Sequence, residues 1–209
     1  MDINSTKYVK DTYEKITDEY TKEYVNDFSD APYIDSFLSY LPVNASILDV
    51  GSGPGQFSDY MQKKGFTVQA IDTSPAMLKV ARAKFPNVEF SEMDMRTLDF
   101  PENNFDGLLV AYSLIHVPSY EIDNVLHELN GVLKVGGYMH VIAQQGETDQ
   151  VVDEPLKAGE KIFVNFFSLE LLTKHLTDAK FEIIEAKEVD SFDPNSLSTG
   201  FLSVVARKK

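Results

Sequence analysis

One stretch of the sequence constrains the fold more than any other: ILDVGSGPGQF, residues 47–57. An apolar run leads into glycines at every second position, and a helical pattern with Phe57, Tyr60 and Met61 follows. Glycines permit a tight turn and let a ligand approach the backbone beside a helix N-terminus. The stretch therefore predicts a strand–turn–helix unit with a ligand crevice outside the carboxyl end of the strand. A loop whose glycines serve only the turn is the alternative.

Short β-rich runs alternate with helical patterns along the chain, which is typical of a parallel α/β sheet. Several runs are almost continuously apolar, as expected of strands that are buried on both faces. The predicted parallel strands are Ser46–Val50, Thr67–Ile71, Val88–Phe90, Phe105–Ala111 and Tyr138–Ala143. Two final runs, Phe181–Val189 and Phe201–Ala206, predict an antiparallel pair attached to that sheet.

Two helical patterns between the strands carry end signals. Ser74-Pro75 predicts a helix start, with the proline at the first helical position. Residues 122–133 place their apolar side chains on one helical face, and Gly136-Gly137 is expected to stop that helix.

The length of 209 residues predicts one domain with appendages, residues 1–209. Its expected parts are an N-terminal helical cap in 1–40, a core in 41–145, a lid-like connection in 146–167, and a C-terminal helix with a strand pair in 168–209. A polar connection as long as the third part is usually functional or mobile in a compact domain. Both it and the cap are expected to cover the carboxyl ends of the strands.

Charge and cysteine content exclude several classes of function. The chain has 33 acidic and 19 basic residues, a net charge of −14 that repels phosphate backbones, so we expect no nucleic-acid partner. It has no cysteine, hence no disulfide, cysteine zinc site or thiol nucleophile, and we expect no metal site. The longest apolar stretch, around Gly107–Ile115, is too short to span a bilayer, and the first residues are polar. We expect a cytoplasmic monomer or homodimer that does not bind membranes.

The spacing of the glycine loop separates two classes of nucleotide ligand. A dinucleotide loop has the pattern G-x-G-x-x-G, whereas this chain has Gln56 at the third glycine position. The arrangement Asp49-x-Gly51-x-Gly53-x-Gly55 instead resembles the first motif of the class I S-adenosylmethionine-dependent methyltransferases. The resemblance extends over about residues 45–145. It implies a Rossmann-like, seven-stranded, mostly parallel sheet with the last strand antiparallel, helices on both faces and an N-terminal helical cap.

The resemblance also implies how the cofactor binds. S-adenosylmethionine, with S-adenosylhomocysteine as its product, is expected to contact the residues of the first motif: Asp49, Gly51, Ser52, Gly53 and Gly55. Asp72 ends the second predicted strand, where a carboxylate can accept two hydrogen bonds from a ribose diol, and the resemblance assigns that role to Asp72 with Thr73. A solvated strand-end aspartate is the alternative.

The later motifs place the rest of the cofactor. Asp94 and Met95 follow the third strand and, by the resemblance, meet the adenine; Glu92 is an alternative of the same chemistry, and a loop acid without a role is another. Backbone groups of Ala111 and Tyr112 are expected to face the methionine part.

Three side chains are candidates for the acceptor side. His116 follows the fourth strand, and its ordinary pKa near 6.5 suits a general base, although packing before Pro118 is an equal alternative. Tyr13 and Tyr20 lie in a segment that resembles the N-terminal helix of small-molecule methyltransferases, where such tyrosines border cofactor and acceptor, so the resemblance implies that both also contact the cofactor. Helical spacing of aromatics also fits simple packing.

The leading hypothesis is a methyltransferase that acts on the oxygen or nitrogen of a small molecule. The alternatives are a nicotinamide-dependent oxidoreductase, which Gln56 argues against, and a protein that binds the cofactor without transferring its methyl group. Aminopropyl transfer on the same fold is a further possibility, because a fold does not fix chemistry.

Overall fold

The computed structural model of the chain describes residues 6–190, 197–198 and 200–209. Its helices are α1 (Thr6–Tyr24), α2 (Ala31–Leu38), α3 (Gln56–Lys63), α4 (Pro75–Lys84), α5 (Ile122–Val132) and α6 (Leu169–Asp178). Its strands are β1 (Ser46–Val50), β2 (Thr67–Asp72), β3 (Glu89–Glu92), β4 (Phe105–Ala111), β5 (Leu133–Gln144), β6 (Asp149–Asp153), β7 (Lys161–Asn165), β8 (Phe181–Asp190) and β9 (Gly200–Lys208). Short 3₁₀ turns, Leu114–His116 and Ser119–Glu121, precede α5.

A seven-stranded sheet in the described residues runs in the order β3-β2-β1-β4-β5-β9-β8. Strand β9 is antiparallel to both neighbours, β5 and β8, whereas the other pairs are parallel. This arrangement confirms the predicted Rossmann-like sheet with its last strand antiparallel. The order reverses between β1 and β4, so a crevice opens there at the carboxyl ends of these strands.

Helices cover both faces of the sheet because the central strands are apolar on both sides. Ile47 and Leu109 pack towards α2, α3 and α4, whereas Leu48, Leu108 and Val110 pack towards α5 and α6. All five side chains are fully buried. Burial on both faces is the reason that β1 and β4 have the bounds that their sequence predicts.

The start of α4 follows the predicted signal. Ser74 precedes Pro75, and its Oγ accepts a hydrogen bond of 3.2 Å from Met77 N, which satisfies one of the free amides of the first helical turn. None of the helices in the described residues combines the length and apolar character needed to cross a membrane.

The predicted glycine stop after α5 is wrong. The helix ends at Val132 and β5 begins at Leu133, so Gly136 and Gly137 lie inside the strand. Gly136 has φ +78°, and a Cβ on Gly137 would lie 2.9 Å from Asp106 O, so both glycines serve a bulge in the pairing with β4. The two glycines do mark a change in backbone direction, but this change is a bulge within β5 and not the end of α5.

Residues 146–167 contain more structure than the predicted polar connection. Strands β6 and β7 form a hairpin, with Asp149 opposite Asn165 and Asp153 opposite Lys161. The inner strand β7 is buried from Ile162 to Asn165. Helix α1 packs on β7 and on α4, and Tyr8 Oη and Thr12 Oγ1 both donate to Lys161 O, each at 3.1 Å. Helix α1 of the cap and the hairpin therefore stabilise each other's position through direct contacts.

Candidate functional site

Two adjoining cavities lie at the carboxyl ends of β1, β2 and β4. The first encloses about 720 Å³ and the second about 1420 Å³, open mouths included. Residues common to the two linings make them one continuous site: Tyr13, Tyr20, Gly51, Gly53, Ala111 and Tyr112. The sheet supplies the floor of this site, and the cap and the hairpin supply much of its wall.

The glycine loop is fixed by close backbone packing. Gly51 and Ser52 N donate to Ile71 O at 2.8 and 2.9 Å, which ties the loop to the end of β2. Gly51 has φ +74°, and a Cβ there would overlap that of Ser113. Gly53 has φ +53°, but a Cβ there would meet only Tyr20, at 3.9 Å. Gly51 is therefore required by the fold, whereas Gly53 leaves the backbone open towards the cavity.

Asp72 sits where the loop meets the end of β2. Its Oδ2 accepts from Gly53 N and its Oδ1 from Ser74 N, both at 2.8 Å. Burial raises the pKa of this carboxyl, and the amide donors oppose that shift. Asp72 and Thr73 both line the first cavity, so the predicted ribose acid lies beside the loop as expected.

The two candidate adenine acids lie in different surroundings. Asp94 lines the first cavity together with Met95, and its Oδ1 accepts from Arg96 N at 2.9 Å. Glu92 instead pairs with Lys10 at 2.8 Å, on the outer side of α1. This placement favours Asp94 over Glu92. Met77 and Met93 complete an apolar, polarisable wall of the first cavity, which suits a flat ring.

Asp49 lies beneath the loop and lines the second cavity. It is buried, and Ser58 Oγ donates to its Oδ2 at 2.5 Å. Burial raises the pKa of this carboxyl to about 7, with the Ser58 bond opposing the shift. A positive ligand group beside Asp49 would favour its charged form.

Two buried polar atoms near the loop have no hydrogen-bond partner in the described part of the chain: Ser52 Oγ and Gln56 Oε1. Both residues line the second cavity. A buried polar group without a partner costs free energy, so each atom points to a ligand that supplies one. Together with the carboxylate at Asp72, these atoms fit a cofactor with a ribose and an amino-acid end.

Ala111 and Tyr112 end β4 between the two cavities. Tyr112 N donates to Ile142 O at 2.8 Å, and its φ of +54° turns the chain out of the sheet. The ring of Tyr112 stands 6.2 Å from that of Phe201, and its hydroxyl donates to Asp30 Oδ1 at 3.4 Å. Both residues line both cavities, and their contact with the methionine part of the cofactor stays a prediction.

His116 and Tyr13 form a pair in the first cavity. His116 Nδ1 lies 2.9 Å from Phe163 O, and its Nε2 lies 2.8 Å from Tyr13 Oη. Burial lowers the pKa of His116 to about 4. The imidazole is therefore neutral at pH 7 but a weaker base than an ordinary pKa near 6.5 implies, and the Tyr13 hydroxyl already occupies the nitrogen that would accept a proton.

The remaining histidines lie apart from the site. His140 is fully buried in β5, where its Nε2 lies 2.9 Å from Ser203 Oγ, and His175 pairs with Asp123 on the outer helices. Two acids of the N-terminal cap are not singled out by the sequence. Asp30 lines the second cavity, and Glu14 Oε1 accepts from Ser74 Oγ at 2.6 Å and Ala76 N at 3.0 Å, at the start of α4. No periodicity marks these two acids among the many others of the chain. Glu154, one of the acids of the connection 146–167, lines the second cavity as well.

Comparisons with known proteins agree on the kind of domain. Residues 47–137 match the family model described as a methyltransferase domain. A putative methyltransferase of Invertebrate iridescent virus 6 is 26% identical over 74% of this chain and 60% of its own length. A ubiquinone/menaquinone biosynthesis C-methyltransferase of Campylobacter jejuni is 33% identical over 49% of this chain and 46% of its own length. The chain thus spans about half the length of these curated relatives.

A solved structure shows the same fold. The 1,6-didemethyltoxoflavin N1-methyltransferase of Burkholderia thailandensis, with 1,6-didemethyltoxoflavin and S-adenosylhomocysteine bound, superposes with a TM-score of 0.78. The superposition covers 96% of this chain and 87% of that one, at 19% identity. The match of residues 47–137 to the methyltransferase domain model and the shared fold agree with the predicted class I methyltransferase domain, for which S-adenosylmethionine is the expected cofactor.

Proposed function

We propose that this chain, which carries a class I S-adenosylmethionine-dependent methyltransferase domain, transfers the methyl group of that cofactor to a small-molecule acceptor. One observation carries this proposal: Gly53 N donates a hydrogen bond of 2.8 Å to Asp72 Oδ2 in the floor of a continuous cavity. The first part of the cavity has the size and polarity for a nucleoside. The second part has the size and polarity for the amino-acid end of the cofactor together with an acceptor.

Residues of the first cavity are proposed to bind the nucleoside. Asp72, with Thr73 beside it, accepts from the ribose hydroxyls, and Asp94 accepts from the adenine amino group. Met77, Met93 and Met95 line the same cavity and would pack on the ring. Asp94 is held in place by Arg96, which also bonds Glu121 Oε2 at 2.6 Å, so the acid is fixed before the ligand binds.

The glycine loop and the end of β4 are proposed to bind the amino-acid end. Gly51 and Gly53 bring the backbone close to the ligand, Ser52 and Gln56 supply the buried polar atoms that lack partners, and Asp49 faces the ammonium. Backbone groups of Ala111 and Tyr112 lie on the opposite wall. When bound, the cofactor supplies a methyl group on a positively charged sulfur.

Catalysis in this proposal is mainly positioning. An in-line displacement needs aligned reactants and a dry site, and holding them can supply much of the reduction in barrier. Tyr13 and Tyr20 of α1 close the site from above, with ring centroids 5.6 Å apart. They exclude water and limit the approach of the acceptor to one direction.

His116 is proposed to act as a base through Tyr13. Because His116 Nε2 is occupied, a proton from an acceptor hydroxyl or ammonium passes to the Tyr13 oxygen while Tyr13 passes its own proton to Nε2. The charge then rests on the imidazole, whose Nδ1–H stays bound to Phe163 O. The proposal covers an oxygen or nitrogen acceptor; a carbon acceptor, as in the name of the Campylobacter relative, needs the same positioning.

The test is calorimetric titration of the purified protein with S-adenosylmethionine, S-adenosylhomocysteine and NADH. We expect the first two to bind and NADH not to bind. Asp72→Ala and Gly53→Val should abolish the binding while circular dichroism shows a folded protein. Binding of NADH alone would support a nicotinamide oxidoreductase, and unchanged cofactor affinity in both variants would refute the proposed site.

Transfer itself is then measured with cofactor labelled in the methyl group and a panel of alcohols, phenols, amines and carbon acids. Tight cofactor binding with no transfer to any of them would favour a binding protein without its own transferase activity. The cytoplasmic location, the monomeric or homodimeric state and the absence of nucleic-acid or membrane partners stay predictions.

A further inference from the structure

Three carboxylates face the outer part of the second cavity. Asp27 and Asp30 lie between α1 and α2, and Glu154 lies in the turn between β6 and β7. None of the three forms an ion pair with a lysine, arginine or histidine of residues 6–190, 197–198 and 200–209.

Other acids of the hairpin do have cationic partners. Asp153 binds Lys161 at 2.6 Å, and Glu160 binds Lys15 at 2.8 Å. Glu154, between them, is only 7% exposed, and its Oε1 accepts from Leu156 N at 3.0 Å. Asp153 and Glu160 therefore have cationic partners, whereas the buried acid of the hairpin, Glu154, lines the cavity.

Aromatic rings stand on two sides of the same space. Tyr20 and Tyr24 on α1 have ring centroids 4.7 Å apart, and Tyr112 and Phe201 stand 6.2 Å apart at the sheet edge. All four residues line the second cavity. The faces of aromatic rings attract cations, most strongly where water is excluded.

The lining of the second cavity holds no lysine, arginine or histidine among the described residues. Its carboxylates are costly to bury without a positive partner: burial raises the pKa of Asp30 to about 6 and raises the pKa of Glu154 as well. Carboxylates and ring faces both favour a ligand that carries positive charge.

We propose that the methyl acceptor carries a cationic group, a protonated amine or a quaternary ammonium, which sits between these aromatic rings with Asp30 and Glu154 as its counter-ions. The proposal rests on the proposed function, because it assigns the outer part of the cavity to the acceptor. Asp30 and Glu154 lie outside residues 47–137, which match the methyltransferase domain, whereas Asp49 lies within them and is the acid proposed to bind the ammonium of the cofactor. The carboxylates also offset the repulsion between such an acceptor and the positive sulfur.

Three probes of one shape and different charge test the proposal: choline, 3,3-dimethylbutan-1-ol and 3,3-dimethylbutanoate. Their affinities are measured by calorimetry on protein saturated with S-adenosylhomocysteine. We expect choline to bind about tenfold more tightly than the neutral alcohol, the difference that a desolvated cation–aromatic contact and a counter-ion provide, and the carboxylate not to bind.

Variants of Asp30 and Glu154 test whether these two carboxylates cause the preference for choline over the neutral alcohol. Asp30→Asn and Glu154→Gln keep the shape and remove the charge, so each should weaken choline binding severalfold and leave the affinity for S-adenosylhomocysteine unchanged. Asp153→Asn is the matched control, since it removes an equal charge from the residue before Glu154, which is exposed and paired with Lys161; this variant should bind choline as the wild type does.

Two outcomes overturn the proposal. Choline that binds no better than the alcohol, or not at all, would show that the outer cavity does not select cations. Loss of S-adenosylhomocysteine affinity in Asp30→Asn and Glu154→Gln would show that these acids hold the ammonium of the cofactor instead. Failure of wild-type protein to bind S-adenosylhomocysteine would contradict the proposed function itself, and the same titration reports it separately.

Discussion

The Tyr13 hydroxyl lies 2.8 Å from His116 Nε2, and the orientation of that hydrogen bond is fixed from the other side of the ring. His116 Nδ1 lies 2.9 Å from Phe163 O, and a carbonyl oxygen only accepts. Nδ1 therefore carries the hydrogen, and Nε2 accepts from Tyr13. Two residues that are 103 positions apart thus form one donor–acceptor chain at the edge of the site.

We expect Tyr13→Phe and His116→Gln to lower kcat for an oxygen or nitrogen acceptor by about a hundredfold each, because either change breaks the proton path. The double variant should lose no more than either single variant, since both act in one chain. KM for S-adenosylmethionine should stay the same. Single-turnover kinetics with labelled cofactor measures the effect, and additive losses in the double variant would show that the two residues act separately.

Gly51 and Gly65 form a matched pair for a stability test. Both have positive φ, +74° and +96°, but a Cβ on Gly51 overlaps Ser113 Cβ, whereas a Cβ on Gly65 has no atom within 4 Å. Ser113 does not move away easily, because its Oγ donates to Val50 O at 2.5 Å. Gly51→Ala should therefore cost about 2 kcal/mol more than Gly65→Ala. Urea unfolding measures the difference, and equal losses would mean that the loop can shift away from β4.

Sequence alone predicts the parts of this fold that are fixed by local patterns. The strands β1 and β4 have the predicted bounds because each is apolar and buried on both faces. The prediction that Gly136-Gly137 stop α5 is wrong because a pair of glycines is equally compatible with the end of a helix and with a bulge in a strand. The sequence does not predict the hairpin β6–β7, because its outer strand β6 has no alternation of apolar and polar residues.

The candidate site, like the fold, has one part that the sequence predicts and another part that it does not predict. Positions in the glycine loop and at the end of β2 follow from sequence order, since the carboxyl ends of parallel strands meet at one edge. Contacts such as Tyr13 with His116 and Glu14 with Ser74 join the cap to the core over 103 and 60 positions. They depend on how α1 docks, and no spacing in the sequence encodes that docking.

His140 gives a prediction of how stability depends on pH. Burial lowers its pKa to about 4, with Lys187 contributing and Glu185 opposing the shift. Between pH 6.5 and about 4 the unfolded chain binds the proton that the folded chain excludes, so the folded state loses stability as the pH falls through this range. Over that interval His140 should cost the wild type up to about 3 kcal/mol.

His140→Gln removes this effect and keeps a partner for Ser203. The free energy of unfolding of the wild type, relative to this variant, should therefore decline as the pH is lowered from 7.5 to 4.5. The raised pKa values of Asp49 and Asp30 act in the opposite direction, but they are present in both proteins and cancel in the difference. Urea titrations at several pH values measure it; parallel curves would mean that the folded protein admits the charge at His140.

Helix α1 docks on the start of α4 through Glu14. The Glu14 carboxylate accepts from Ser74 Oγ and Ala76 N at the start of α4, where a negative charge is favoured and the first amides lack helical partners. Glu14→Ala should cost about 1–2 kcal/mol of docking free energy and raise the Kd for S-adenosylmethionine about tenfold, because Tyr13 and Tyr20 no longer close the site. Glu14→Gln keeps an acceptor and should have a smaller effect.

Asp11→Ala is the control for this change. Asp11 lies on the same helix and pairs with Lys7, four residues before it, at 2.6 Å in an exposed position. Its loss should leave the cofactor Kd unchanged, because exposed pairs of this kind contribute little. Limited proteolysis should cut α1 faster in Glu14→Ala than in Asp11→Ala, and bound S-adenosylhomocysteine should slow that cleavage. Equal cleavage and equal Kd in the two variants would mean that α1 is held by its apolar face and by β7, and that Glu14 serves only to cap α4.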